Sequence, residues 1–189
     1  MNALPIQPPS NWRNKVPELT AFFWIIKMMS TTVGETAADF LNADLHFGLT
    51  MTSAVMAALL VIALLFQIKA KRYIPSRYWI AVVFISVFGT LITDNLSDNL
   101  GVPLSISTGL FGFALIATFA VWYRKEKTLS IHAIDSTKRE LFYWTAILFT
   151  FALGTAAGDL VAEGFNLGYA NSALLFGALI VITALAHYM

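Results

Sequence analysis

Six stretches of about twenty apolar residues, each long enough for a helix to cross the ~30 Å hydrocarbon core of a bilayer, constrain this chain more than any other feature. They run from about Leu19 to Leu41, Leu49 to Ile68, Arg77 to Leu96, Leu104 to Tyr123, Leu141 to Val161 and Tyr169 to His187. Runs such as AVMAALLVIALLF lack the period of two that barrel strands require, so the stretches read as helices. Hydrophobic residues make up 58% of the 189 and charged residues 12%, and mean hydropathy is +0.70. A soluble domain of this size could not cover its surface with so few polar groups. Disorder, a coiled coil and a nucleic-acid-binding module are excluded on the same grounds. The expected fold class is an all-α integral membrane protein with six transmembrane helices. Residues 1–17 are polar and proline-rich and lack the pattern of a signal peptide, so the first stretch is expected to be a retained helix. The chain has no cysteine, which removes disulfides, thiolate metal sites and iron–sulfur clusters.

The charges set an orientation. Eleven of the twelve basic residues fall on one side: Arg13 and Lys15 before the first helix, Lys69, Lys71, Arg72 and Arg77 before the third, and Arg124, Lys125, Lys127, Lys138 and Arg139 before the fifth. The positive-inside rule places that side, and with it both termini, in the cytoplasm. Lys27 is the exception; it lies inside the first helix, with a stem long enough to snorkel back to the near interface. Seven acids (Glu35, Asp39, Asp44, Asp94, Asp98, Asp159 and Glu163) lie toward the opposite side with no lysine or arginine nearby. Their negative potential favours cations.

The odd-numbered stretches superpose without gaps as WIIKMMSTTVGETAADFL, WIAVVFISVFGTLITDNL and WTAILFTFALGTAAGDLV. Trp24, Trp79 and Trp144 stand ten residues before Gly34, Gly89 and Gly154, and fifteen before Asp39, Asp94 and Asp159. Three tandem two-helix units follow, spaced by 55 and then 65 residues, a repeat architecture. The units span residues 19–72, 73–127 and 141–189, after an amino-terminal cytoplasmic segment at 1–18 and with a cytoplasmic loop at 128–140. Two helices per unit make the repeats parallel, related by an axis near the membrane normal. Gly48, Gly101 and Gly168 open the even helices. The tryptophans read as interface anchors, and Gly34, Gly89, Gly112, Gly154, Gly158 and Gly177 as helix-packing residues.

At 1.5 Å per residue, each repeated aspartate lies roughly 22 Å beyond its tryptophan, in the outer hydrocarbon or at its edge. Carboxylates in that layer cost several kcal/mol facing lipid and normally face a bundle interior. Asp98 and Glu163 follow Asp94 and Asp159 by four residues on the same helix face, and Glu35 precedes Asp39 by four. Thr36, Thr90 and Thr155, with Asn42, Asn95, Asn99 and Asn166, add oxygen ligands. Such a set suits a hard divalent cation, manganese or magnesium, with Glu35, Asp39, Asp94, Asp98, Asp159 and Glu163 as the metal-ligating candidates. The competing reading places the aspartates as caps at helix ends. His46, beside Asp44, is a further candidate ligand; His132 and His187 read as surface or structural. HExxH, a P-loop, GxGxxG and a nucleophile elbow are all absent from the sequence, and the expectation is that this is not an enzyme.

The segments TTVGETAADFL, FGTLITDNLSDNLGV and ALGTAAGDLVAEGFNLGY, together with KVPELTAFFWIIKMMSTTVGETAADF, resemble a bacterial family of uncharacterised membrane-anchored proteins. That family is built of two-helix repeats with a conserved tryptophan, and its members usually carry four. The resemblance covers nearly the whole chain and implies the bacterial inner membrane and the repeat topology, without assigning an activity. Three repeats are seen here, leaving a natural short form and a truncation as alternatives; a homodimer could complete a central cavity. The function expected from the acids is a transporter or channel for a cation or proton, in contact with the lipid bilayer and without nucleic acid. The alternative is a sensor or assembly subunit that binds an ion or a partner protein without moving it.

Overall fold

The computed structural model describes residues 14–44 and 46–188. Six long helices are found: α1 (Ala21–Asp39), α2 (Gly48–Ile68), α3 (Pro75–Asp94), α4 (Leu104–Glu126), α5 (Thr137–Asp159) and α6 (Tyr169–Tyr188). Their starts follow from local chemistry. The Thr20 and Ser136 side chains accept hydrogen bonds from the Phe23 and Arg139 amides, and Pro75 occupies the first turn of α3, where its missing N–H is harmless. Five of the helices are long and apolar enough to cross a membrane. In α1, Lys27, Glu35 and Asp39 interrupt a similar length, but the helix packs as its counterparts do.

Each odd helix ends in one π turn: Phe40–Asp44, Asn95–Asn99 and Leu160–Gly164. These turns repeat at the same 55- and 65-residue spacing as the tryptophans. The spacing also carries through to the even helices and corrects one expectation. Gly48 and Gly168, with φ of 73° and 77°, fall in register with Pro103, not with Gly101. Gly101 (φ 64°) instead matches His46 (φ 57°) and Asn166 (φ 55°). The turn that reverses the chain therefore has a left-handed residue at this position in every repeat, which glycine adopts without strain and asparagine or histidine tolerates. That is the role found for His46. A second left-handed residue stands at Gly48 and Gly168 in the first and third repeats.

Helices α1, α3 and α5 pack in series, and each even helix lies along the odd helix of the following repeat, α2 on α3 and α4 on α5. The core clusters reflect this. Met56 of α2 packs with Val87 and Leu91 of α3, and Phe111 of α4 packs in register with Ala152 and Ala156 of α5. Between odd helices, Phe23 meets Trp79 at a centroid distance of 5.6 Å and Tyr78 meets Trp144 at 5.4 Å, both tilted by 45°. Trp79 and Trp144 thus pack between repeats. Trp144 is buried, Trp79 half-buried, and Trp24, with no repeat before it, is exposed.

Candidate functional site at the acidic end of the odd helices

Residues in register from α3 and α5 touch each other directly. The Tyr78 and Tyr143 hydroxyls lie 2.6 Å apart, and those of Thr90 and Thr155 lie 3.2 Å apart. Contacts between identical repeat positions mark side chains that face a common axis, so the axis can be followed through the helices. An aromatic layer at Tyr78 and Tyr143 lies near the basic end. Twelve residues further on is the layer of Thr90 and Thr155, which Glu35 joins from α1 by register. Sequence inspection pairs Thr36 with these threonines; the structural register puts Glu35 there instead. Asp39, Asp94 and Asp159 follow one turn later, each the last α-helical residue before its π turn, and Asp98 and Glu163 sit within the turns. Asp94 and Asp159 each precede a π turn without a side-chain capping hydrogen bond.

The acids are close enough to act on one another electrostatically. Asp94 experiences the charges of Asp98, Asp159, Asp39 and Glu35, and Asp159 those of Glu163, Glu35, Asp98 and Asp39. Glu35, Asp39 and Asp98 thus act on both Asp94 and Asp159, and Glu163 on Asp159. Asp94 and Asp159 are half-buried; Glu35, Asp39, Asp98 and Glu163 are exposed. Asp44, the last residue of the first π turn, and His46, just beyond it, are also exposed. Among the described residues, no three His, Asp or Glu side chains converge closely enough to hold a metal ion. The carboxylates line one end of the bundle without closing into a coordination shell.

Surrounding amides are engaged in holding this layer. The Asn95 side-chain NH2 donates to Ser53 Oγ and to the Leu91 carbonyl, both at 2.7 Å, and Asn99 donates to Asn95 Oδ1 at 2.8 Å. The Tyr169 hydroxyl donates to Glu163. Lys27 differs from its sequence expectation. Its ammonium lies 4.7 Å from the centre of the Phe151 ring, and Phe151 stands one turn beyond the level of Lys27 in the repeat register. The stem therefore runs toward the acids, held by a cation–π contact, and does not snorkel to the near interface.

Sequence inspection missed the arrangement at the basic end. There Asn14, Lys15 and Val16 are buried in the fold. Lys15 Nζ donates to Glu140 Oε2 at 2.7 Å and to the Ile68 carbonyl at 2.9 Å. Glu140 Oε1 accepts from Gln67 Nε2 at 3.0 Å and from the Trp144 indole at 3.4 Å. The Lys15 amide donates to the Ile134 carbonyl, and the Asn14 carbonyl accepts from Tyr73. Lys15 is thus a buried partner rather than a surface orientation signal; Arg13 lies outside the described residues. The loop at 128–140 also folds back, with Arg139 bridging Glu126 and Asp135 and Ile134 fully buried.

Taken together, these features define a membrane-associated helical protein of three tandem two-helix repeats. Its residues 22–73, 77–128 and 142–189 each match the family described as Repeat of Unknown Function (DUF347), and the chain belongs to that family. Neither the curated proteins nor the solved structures yield a match.

Proposed function

We propose that this protein moves cations across the bacterial cytoplasmic membrane, along the axis between α1, α3 and α5, with its basic end and both termini in the cytoplasm. The cargo is a proton or a hard divalent cation such as manganese or magnesium. What supports the reading is that Asp39, Asp94 and Asp159 end three helices packed in series at equivalent positions, with Glu35, Asp98 and Glu163 one turn away, at an end without lysine or arginine. Acids on a common axis lower the potential for an entering cation, and crowded carboxylates let protons compete with it. Lys27, reaching toward this layer from the other side, supplies an internal positive charge that an entering cation must meet. The carboxylates would exchange an ion rather than hold it permanently, and no catalytic role is assigned to them.

One observation favours the alternative of a sensor or assembly subunit. The basic end is closed by the Tyr78–Tyr143 pair and by the Lys15–Glu140 ion pair above it. A transporter must open that end during its cycle; a sensor need not.

The test is flux into proteoliposomes containing a pH-sensitive dye, across H⁺, Na⁺, K⁺, Mg²⁺, Mn²⁺ and Zn²⁺. Asp94→Asn and Asp159→Asn are each expected to reduce selective flux by at least about tenfold, equivalent to ~1.4 kcal/mol on the barrier. Wild-type protein that is folded and inserted yet indistinguishable from empty liposomes would replace transport with the sensor reading.

A further inference from the structure

We propose that α6 of one copy of this chain docks on α1 of a second copy, repeating between chains the contact that α2 makes with α3 and α4 makes with α5. The inference rests on the repeat packing alone and holds whether or not the protein transports anything.

The even helices carry one stripe in common register. Thr52, Met56, Leu60, Ala63 and Gln67 of α2 are all buried, largely along α3. Ser107, Phe111 and Trp122 occupy the corresponding positions of α4, buried beside α5. On α6 the stripe continues as Ser172, Phe176, Ile180 and Thr183, but only its first residue is buried, and Ile180 is 61% exposed. Helix α6 chiefly touches the π turn that precedes it.

The complementary surface is on α1. Met56 inserts among Phe84, Val87, Phe88 and Leu91, and Phe111 among the residues in register, Phe149, Ala152, Leu153 and Ala156. Subtracting the repeat spacing gives Met29, Thr32, Val33 and Thr36 as the equivalent receptor on α1. All four are exposed, Met29 at 63% and Val33 at 54%. A donor and its receptor are therefore both open within one chain.

The odd helices give the same answer independently. A methyl group placed on Gly34 would strike Ser86, and one on Gly89 would strike Phe151; Ser86 and Phe151 are in register, so each glycine seats the next repeat's helix. The third member, Gly154, has nothing within 4 Å, and its counterpart partner in the series is Thr31 of α1.

Lipid is a poor occupant for the α1 face. Thr32 and Thr36 lie exposed there, and polar groups facing hydrocarbon are costly. A second copy offers the shape already fitted twice within the chain. The contact is head-to-tail, so copies sharing one bilayer plane close into a ring where the rotation between them closes. Two copies form the smallest, with six repeats around the axis.

Because the chain has no cysteine, engineered pairs report cleanly. Copies carrying Val33→Cys and Phe176→Cys, differently tagged and co-expressed, are expected to join through a disulfide on mild oxidation in membranes. Val33→Cys with Leu174→Cys, two residues away on the other face of α6, should not join. The proposal is overturned if the Phe176 pair crosslinks no more than the Leu174 control in helical, inserted protein, as it would were lipid to cover both faces. It is equally overturned if native mass spectrometry from nanodiscs finds only monomer.

Discussion

Replacing Glu140 with alanine is expected to destabilise the protein by about 3–5 kcal/mol, the usual result of leaving one charge of a buried pair uncompensated. Both partners are almost fully enclosed, with side-chain exposure of 7% for Lys15 and 1% for Glu140. The carboxylate also does more than neutralise Lys15. Its loss removes the acceptor for Gln67 and for the Trp144 indole, leaving polar groups unpaired in a site that water does not reach. These partners come from the amino-terminal segment, the end of α2 and the start of α5, so one side chain fastens three parts of the chain that share no helix. Glu140 also lies in the first turn of α5, where the positive end of the helix dipole favours a carboxylate. Thermal unfolding followed by circular dichroism in detergent should show a fall on the order of 10 °C. Lys15→Met combined with Glu140→Leu should recover the part of the loss due to the uncompensated charge, while Gln67 and the Trp144 indole stay without their acceptor. A drop below about 1 kcal/mol for Glu140→Ala, the range of exposed pairs, would show that the ion pair does not hold this end together.

The contrast between the two ends shows what a sequence of this kind can and cannot reveal. Helix positions were legible because spanning a bilayer demands about twenty apolar residues, and no soluble-core constraint blurs that signal. The repeat was legible because Trp24, Gly34 and Asp39 recur with fixed spacing. The equivalent depth of Asp94 and Asp159, at the ends of α3 and α5, could be read on that basis. The Lys15–Glu140 pair could not. Its members are separated by 125 residues, and each looks like an ordinary interfacial charge when read beside its neighbours. The π turns were likewise hidden, because a widened turn leaves no apolar period of its own; only the repetition of polar residues after each aspartate hints at it. Lys27 was misjudged for a third reason: the direction a long side chain takes depends on Phe151, a residue two repeats away. Sequence periodicity reports what each helix presents, whereas which neighbour receives it is a property of the packing order, here α1–α3–α5 with each even helix carried forward.

That packing order makes the glycines unequal, although Gly34, Gly89 and Gly154 look identical in sequence. Gly89→Val is expected to disrupt the fold itself. The first added carbon would lie 2.7 Å from Phe151 Cβ and 3.3 Å from the Ala152 nitrogen, atoms that cannot swing aside without shifting α5. Overpacking of this kind costs about 1–3 kcal/mol and sometimes more, and here it would also pull apart the Thr90–Thr155 and Tyr78–Tyr143 contacts on the same interface. Gly154→Val meets no atom within the chain, and a β-branched residue lowers helix propensity only slightly, so the single copy should remain folded with a nearly unchanged melting temperature. Its effect should appear in association, because the open surface at Gly154 is the seat into which a second copy's α1 would settle. In lipid, where close backbone approach supplies much of the force between helices, a branched side chain there should abolish the Val33→Cys to Phe176→Cys crosslink. The two substitutions thus separate stability from assembly by a measurement on each: unfolding for Gly89→Val, crosslinking and native mass for Gly154→Val. If both merely destabilised the single chain, Gly154 would have to be packed already, and the equivalence of the three odd helices would fail at its third member.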